Sequence, residues 1–122
     1  MVYIGKNIVL FFKPFIEQAK IIRVACLVAD SSLFLKWAKN LQHFELFVDK
    51  AKVIHKRANE FHRIKNLHAK IYCFDDSIFL SSANLTYGSL FTNIEHAVEL
   101  TNKTDKKKIL TYLERLRNEE KK

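Results

Sequence analysis

The chain has 122 residues, 48% of them hydrophobic with ten Phe among them, and a formal net charge of +8. That length supports one core without staples and is too short for two, and the apolar content excludes a disordered chain. Two Gly and one Pro leave no flexible linker at which to draw a boundary, so residues 1–122 are expected to form a single domain. The apolar run that ends at Lys13 is too short for a signal-peptide core, and no run approaches a membrane span. Cys26 and Cys73 sit in apolar, strand-like context without metal or redox spacing. The expected setting is a soluble, reducing, cytoplasmic one.

From Asn7 to Lys20 the apolar residues recur with helical spacing, and Pro14 predicts a kink or an early break. Ile21 to Ala29 is a continuous apolar, β-branched run, as in a strand covered on both faces. Asp30, Ser31 and Ser32 offer caps for a helix from Ser32 to Asn40, with Leu33, Trp37 and Leu41 on one stripe. Phe44 to Val48 reads as a second strand, and Asp49 to Asn59 as a basic loop or short helix. Strands are predicted over Glu60–Ile64, Leu67–Phe74 and Ser77–Ser81, the last two joined by a turn at Asp75, Asp76 and Ser77. Asn84 to Phe91 reads as a loop or helical turn with Gly88 as breaker, Glu95 to Leu100 as a last strand, and residues 104–118 as an amphipathic helix. Helices alternating with strands imply a parallel or mixed sheet covered by helices.

The positive charge is concentrated. Between Lys50 and Lys70 lie seven bases (Lys50, Lys52, Lys56, Arg57, Arg63, Lys65 and Lys70) against one acid, Glu60. Positive potential of that density draws a polyanion, and Lys56, Arg57, Arg63 and Lys65 are the expected approach for nucleic acid. His55 and His62 in the same stretch read as surface histidines. The carboxy-terminal run, eight bases against four acids from Asn102 to Lys122, reads as a solvated face.

This basic stretch leads into L-H-A-K-I-Y-C-F-D-D-S-I-F-L-S-S-A-N-L-T, Leu67 to Thr86. On a strand, His68 and Lys70 project to the same face. A neutral imidazole can attack phosphorus, Lys70 can clamp a nonbridging oxygen, and Ser82 and Asn84 can donate hydrogen bonds to the phosphate. Glu95 can hold the second imidazole nitrogen and fix the tautomer. A second acid, to protonate the leaving oxygen, is missing from the chain. Most Phe fall at core positions, leaving Phe61, Tyr87 and Phe91 as candidates for base stacking.

His68-Ala69-Lys70, four residues, then Asp75 resembles the H-x-K-x4-D signature of the phospholipase D superfamily. Ser81-Ser82-Ala83-Asn84 is similar to that family's G-S-x-N, with Ser81 in the place of Gly, and Asn93-Ile94-Glu95 to its downstream N-x-E. The segment from Asp75 to Ser81 is about one residue shorter than the commonest form. The resemblance implies an α/β fold with a mixed, mainly parallel sheet flanked by helices on both faces. It implies catalytic roles for His68, Lys70, Asn84 and Glu95, phosphate binding by Lys70, Ser82 and Asn84, and a positioning or supporting place in the catalytic set for Asp75. No metal or other cofactor is implied. Family members bring two such motifs face to face, and this chain has one. By resemblance to the superfamily's small single-motif nucleases it is expected to form a homodimer with a composite active site.

The expected function is therefore a metal-independent phosphodiesterase, an endonuclease on DNA with RNA as the alternative substrate, without stable membrane association. A phospholipase D-type lipid phosphodiesterase or transferase, and an inactive nucleic-acid-binding module, are the competing readings.

Overall fold

A computed structural model describes residues 1–120; the side chains of Val53, His55 and Glu120 lie outside that description, as do Lys121 and Lys122. Seven strands, β1 (Val2–Gly5), β2 (Ile21–Ala29), β3 (His43–Ala51), β4 (Glu60–Arg63), β5 (Ile71–Phe74), β6 (Ser77–Ser81) and β7 (Glu95–Leu100), form one sheet in the order β1-β7-β6-β5-β2-β3-β4. Helix α1 (Ile8–Gln18) and helix α2 (Lys103–Glu120) complete it.

Alternation within the strands divides the core in two. Ile22, Val24 and Cys26 of β2, Phe44, Leu46 and Val48 of β3, and Tyr72 and Phe74 of β5 face α1, which buries Ile8, Val9, Phe12 and Ile16 against them. The intervening Ala25, Phe47, Ile71, Cys73 and Ile78 face Leu113 and Leu116 of α2. The sheet is thus mixed with a helix on each face, as expected. Its parallel character needs correction: the two pairs β2–β3 and β3–β4 are parallel, and the other four are antiparallel. Five strands do share a direction, but β5 and β7 run against them and interleave the antiparallel half.

Several predicted elements change length. The helix expected at Ser32–Asn40 is a five-residue 3₁₀ turn, Leu33–Trp37, which drives Phe34 and Leu35 into the core over a short span and has no side-chain cap at Ser32. Pro14 does not end α1, which continues to Gln18 because Ile16, beyond it, is buried. β3 runs on to Ala51 because its parallel ladder with β2 continues through Lys50 and Ala51. β5 begins only at Ile71, so His68 and Lys70 lie in the extended segment before it. Gly88 opens a π turn, Gly88–Thr92, where a breaker was expected. β1 was not predicted: it is a four-residue edge strand held to β7 alone, with Val2 and Ile4 exposed.

His62, expected at the surface, is buried, and it belongs to an ion-pair network. Glu45 on β3 is 1% exposed and accepts hydrogen bonds from Arg23 Nε at 3.0 Å, Arg117 Nη2 at 2.8 Å and Arg117 Nε at 2.5 Å, with His62 Nε2 2.8 Å away. Arg117 thereby ties α2 to the sheet across 72 residues of sequence. Burial alone would raise the Glu45 pKa, but the hydrogen bond and charge of Arg117, with His62, outweigh it and hold the group at about 2.

Asp75, counted with the catalytic set from sequence, proves to be a turn residue. It adopts a left-handed conformation (φ 53), and its Oδ1 accepts from Lys20 N at 3.0 Å and Ile21 N at 2.9 Å. These bonds fasten the β5–β6 turn to the start of β2, five residues and roughly 16 Å of strand from Lys70.

Two stability measurements test these staples. Glu45→Gln is expected to cost on the order of 3 kcal/mol in urea unfolding at pH 7, because it strands two guanidinium groups. In the parent, a depressed pKa stabilises fully above the unfolded value near 4.5, and that stabilisation should fade as pH falls toward about 2. Asp75→Ala should lower stability by about 0.5–1.5 kcal/mol through the loss of its hydrogen bonds to two backbone donors.

Candidate active site

β2, β3 and β6 end, and β5 and β7 begin, at one edge of the sheet. His68, Lys70, Ser82, Asn84 and Glu95 all fall at that edge, and Asp75 falls at the opposite one. The antiparallel β5 and β7 are what make this possible, because residues preceding a descending strand meet residues following an ascending one.

Each side chain is placed by its neighbours. Leu67 and Ile71 are buried on either side of the His68-Ala69-Lys70 segment, and Ser81 N donates to Lys70 O at 3.1 Å, carrying the β5–β6 ladder one residue past β5. The buried Tyr72 hydroxyl donates to Ala83 O at 2.9 Å and fixes the Ser82-Ala83-Asn84 loop. Alternation from Tyr72 puts Lys70 on the α1 side of the sheet. The Cys26 thiol, in the α1-side core, is pushed up to about 12 by burial and partly relieved by the nearby charge of Lys70. Burial likewise raises the Tyr72 phenol well above its usual value, with Cys26 and Glu95 adding to it. Glu95 lies on the same side as Lys70, because it alternates along β7 with Ala97, which packs in the α1-side core.

Asn84 is oriented by β2. Its Oδ1 accepts from Leu27 N at 3.2 Å and Val28 N at 3.3 Å, so the amide oxygen is committed to the backbone and the NH2 is the group left to donate to a ligand. His68 is exposed, and among the described residues its imidazole has no hydrogen-bond partner; its carbonyl accepts from Lys70 Nζ at 3.2 Å.

Ser82 and Glu95 are paired with each other. Ser82 Oγ donates to Glu95 Oε1 at 2.6 Å and accepts from His96 N at 2.9 Å. The hydroxyl expected to donate to phosphate is thus engaged by the carboxylate expected to hold His68, and Glu95 makes no hydrogen bond to His68. Ser81 is accommodated in the place of Gly: its Oγ donates to His96 O at 2.6 Å and accepts from Ala83 N at 3.0 Å. The Ser81 hydroxyl braces the turn.

The basic approach splits. Arg63, 70% exposed, and Lys65 lie at the upper end of β4 and lead directly to His68. Lys56 and Arg57 are exposed but lie late in the connection that descends from the end of β3 to the start of β4, away from the site edge. The His55 side chain lies outside the described residues. Sequence reasoning missed the Glu45 network altogether. Ligand atoms of Glu45, Glu60 and His62 come within 4.8 Å of one another, yet Glu45 is already bonded by Arg117 and Arg23, so the group is an ion-pair cluster. No helix among the described residues is long and apolar enough to cross a membrane.

No curated protein matches the sequence. NucT from Helicobacter pylori superposes with a TM-score of 0.78 at 14% identity, covering 97% of this chain and 94% of that one. Nuc from Salmonella typhimurium, a phospholipase D family member, gives 0.64 at 19% identity, covering 97% and 92%. Phosphatidylserine synthase from Haemophilus influenzae Rd KW20 gives 0.69 at 14% identity, with 93% of this chain matching 36% of that one. At these identities the likeness is one of fold. The family model described as the phospholipase D-like domain of cardiolipin synthase matches residues 18–117, and the chain therefore belongs to the phospholipase D-like family.

Proposed function

We propose that the chain is a metal-independent phosphodiesterase that cleaves nucleic acid, DNA in the first place, as a homodimer whose two copies of the site face each other. The observation that carries this reading is the gathering of an exposed His68, Lys70 and an outward-donating Asn84 amide at one sheet edge, with a single such histidine per chain. The basic path from Arg63 and Lys65 favours a polyanionic substrate. The 122 residues would act as one domain, in a reducing cytoplasmic setting that keeps the buried Cys26 and Cys73 as thiols.

The chemistry balances across the two subunits. A neutral His68 nitrogen attacks phosphorus, and the N–P bond forms as the P–O bond to the leaving alcohol breaks. The partner subunit's His68, as imidazolium, gives its proton to the departing oxygen. Lys70 and the Asn84 amide from both copies neutralise and hold the nonbridging oxygens. Water then gives a proton to the partner subunit's His68 and attacks phosphorus, and the P–N bond breaks to regenerate His68. Ser82 and Glu95 serve this centre through each other: the carboxylate holds the hydroxyl, and the hydroxyl holds the His96 amide beside Glu95.

Phosphatidyl transfer is the second reading, favoured by the cardiolipin synthase domain to which the chain matches. Incubation with plasmid and single-stranded DNA in excess chelator separates the two. Wild type should cleave, and His68→Ala should lose more than about 100-fold; equal activity in both would sink the nuclease reading. Tight binding to phosphatidylcholine vesicles without DNA cleavage would establish the lipid one. Light scattering should give a dimer, since a strict monomer leaves the leaving oxygen without an acid.

A further inference from the structure

Beside the His68 edge, a cleft of about 520 Å³ opens between the ends of β2, β3 and β4. Its walls include Val28 and Phe61, and Lys50, Lys52, Arg63, Asp30 and Asp49 stand around it, with Arg63 Nε donating to Asp49 O at 3.0 Å. That size suits one small organic group, since ligand sites run from ~300 to ~1,000 Å³. The apolar walls and charged rim suit a flat aromatic body attached to an anionic backbone.

Three features relate the cleft to the candidate active site. It lies at the same sheet edge, because β2, β3 and β4 are parallel and run toward it, β2 and β3 ending together at Ala29 and Ala51 and β4 stopping opposite Val48. It lies on the same face: Phe61 pairs with Leu46 and Arg63 with Val48, both facing α1, the side on which Lys70 sits. It also lies close by. β4 and β3 stand three and two strand spacings from β5, roughly 14 and 10 Å at ~4.8 Å per strand, a span that one or two nucleotides of an extended strand cover. Phe61, 37% exposed, presents an aromatic surface at the far wall.

We infer that this cleft takes one unstacked nucleobase of a single-stranded nucleic acid, stacked on Phe61, while a phosphodiester of the same strand lies on His68 and Lys70. Lys50 and Arg63 then meet the phosphates that join the two. The inference rests on the phosphodiesterase reading of the edge and narrows its substrate to unpaired strands, because a base held in a duplex keeps both faces stacked and cannot enter. Stacking on aromatic side chains is a recurrent source of affinity for unpaired strands.

Binding measured apart from cleavage tests it. With His68→Ala as the non-cleaving host, fluorescence anisotropy would follow single-stranded DNA and RNA oligonucleotides of one sequence, the same oligonucleotides with abasic sites, and the blunt duplex. Adding Phe61→Ala should weaken single-strand binding about five-fold or more, Phe61→Trp should retain it, and duplex binding should not depend on residue 61. Abasic substitution should cost the Phe61 protein as much as the alanine does, and should cost the alanine variant nothing; the abasic arm on the Phe61 protein also stands should Phe61→Ala fold poorly. Single-strand binding indifferent to Phe61 and to abasic sites overturns the assignment. Wild-type cleavage in chelator, run in parallel, separates the two claims. Cleavage with Phe61-independent binding removes the cleft alone, and Phe61-dependent binding without cleavage removes the hydrolytic reading alone.

Discussion

The fold turns on how the end of β2 is completed. β2 is the strand at which the sheet changes character, parallel to β3 on one side and antiparallel to β5 on the other. Its pairing with β5 stops at Ala25 opposite Ile71, and Leu27 has no partner in the β3 ladder. Backbone donors beyond that point would be left unpaired in a half-buried place, at a cost of about 1–3 kcal/mol each. Asn84 Oδ1 takes two of them, and Leu85 follows it into a bridge with Ala29. The side chain that completes the sheet is therefore the one whose amide NH2 is left to donate, and Asn84 stands on β2 where residues 67–70 do not pair with it.

What could be read from the sequence follows from the range of each interaction. The buried strands β2, β5 and β6 were legible because alternation and β-branched runs are local signals, and the His68, Lys70 and Asn84 set because its spacing is local too. Glu45 was not, since nothing within its own strand marks it as buried and its strongest partner, Arg117, is 72 residues away. His62 was misplaced for the same reason: a histidine in a basic stretch reads as solvated until the carboxylate beside it is known. Strand β1 has one hydrogen-bonded neighbour and an exposed face, so its four residues carry too little pattern to separate them from a tail. Asp75 shows how a residue of the motif can serve as support at a distance, in the turn where the sequence also put it. The interval from Lys70 spans β5, so an acid there necessarily lies at the other end of the strand.

The Ser81, Ser82 and Glu95 cluster revises the division of labour at the site edge. Three side chains and the backbones of Ala83 and His96 share four hydrogen bonds of 2.6–3.0 Å. Such a chain rigidifies the loop that carries Asn84. Ser81 contributes to that rigidity, which makes the missing glycine a change of construction method and leaves the reactive groups in place.

The two edges of the sheet carry different duties. At one, Asp75 closes a left-handed turn and Glu45 draws α2 onto the strands; at the other lie the groups able to handle a phosphodiester. Four- to nine-residue strands separate them, and contacts that far apart act nearly independently. Substitutions that harden or soften the lower edge thus move the folding reserve without retuning the upper one. A change in the loops of the upper edge therefore meets a folding reserve that is held elsewhere in the sheet.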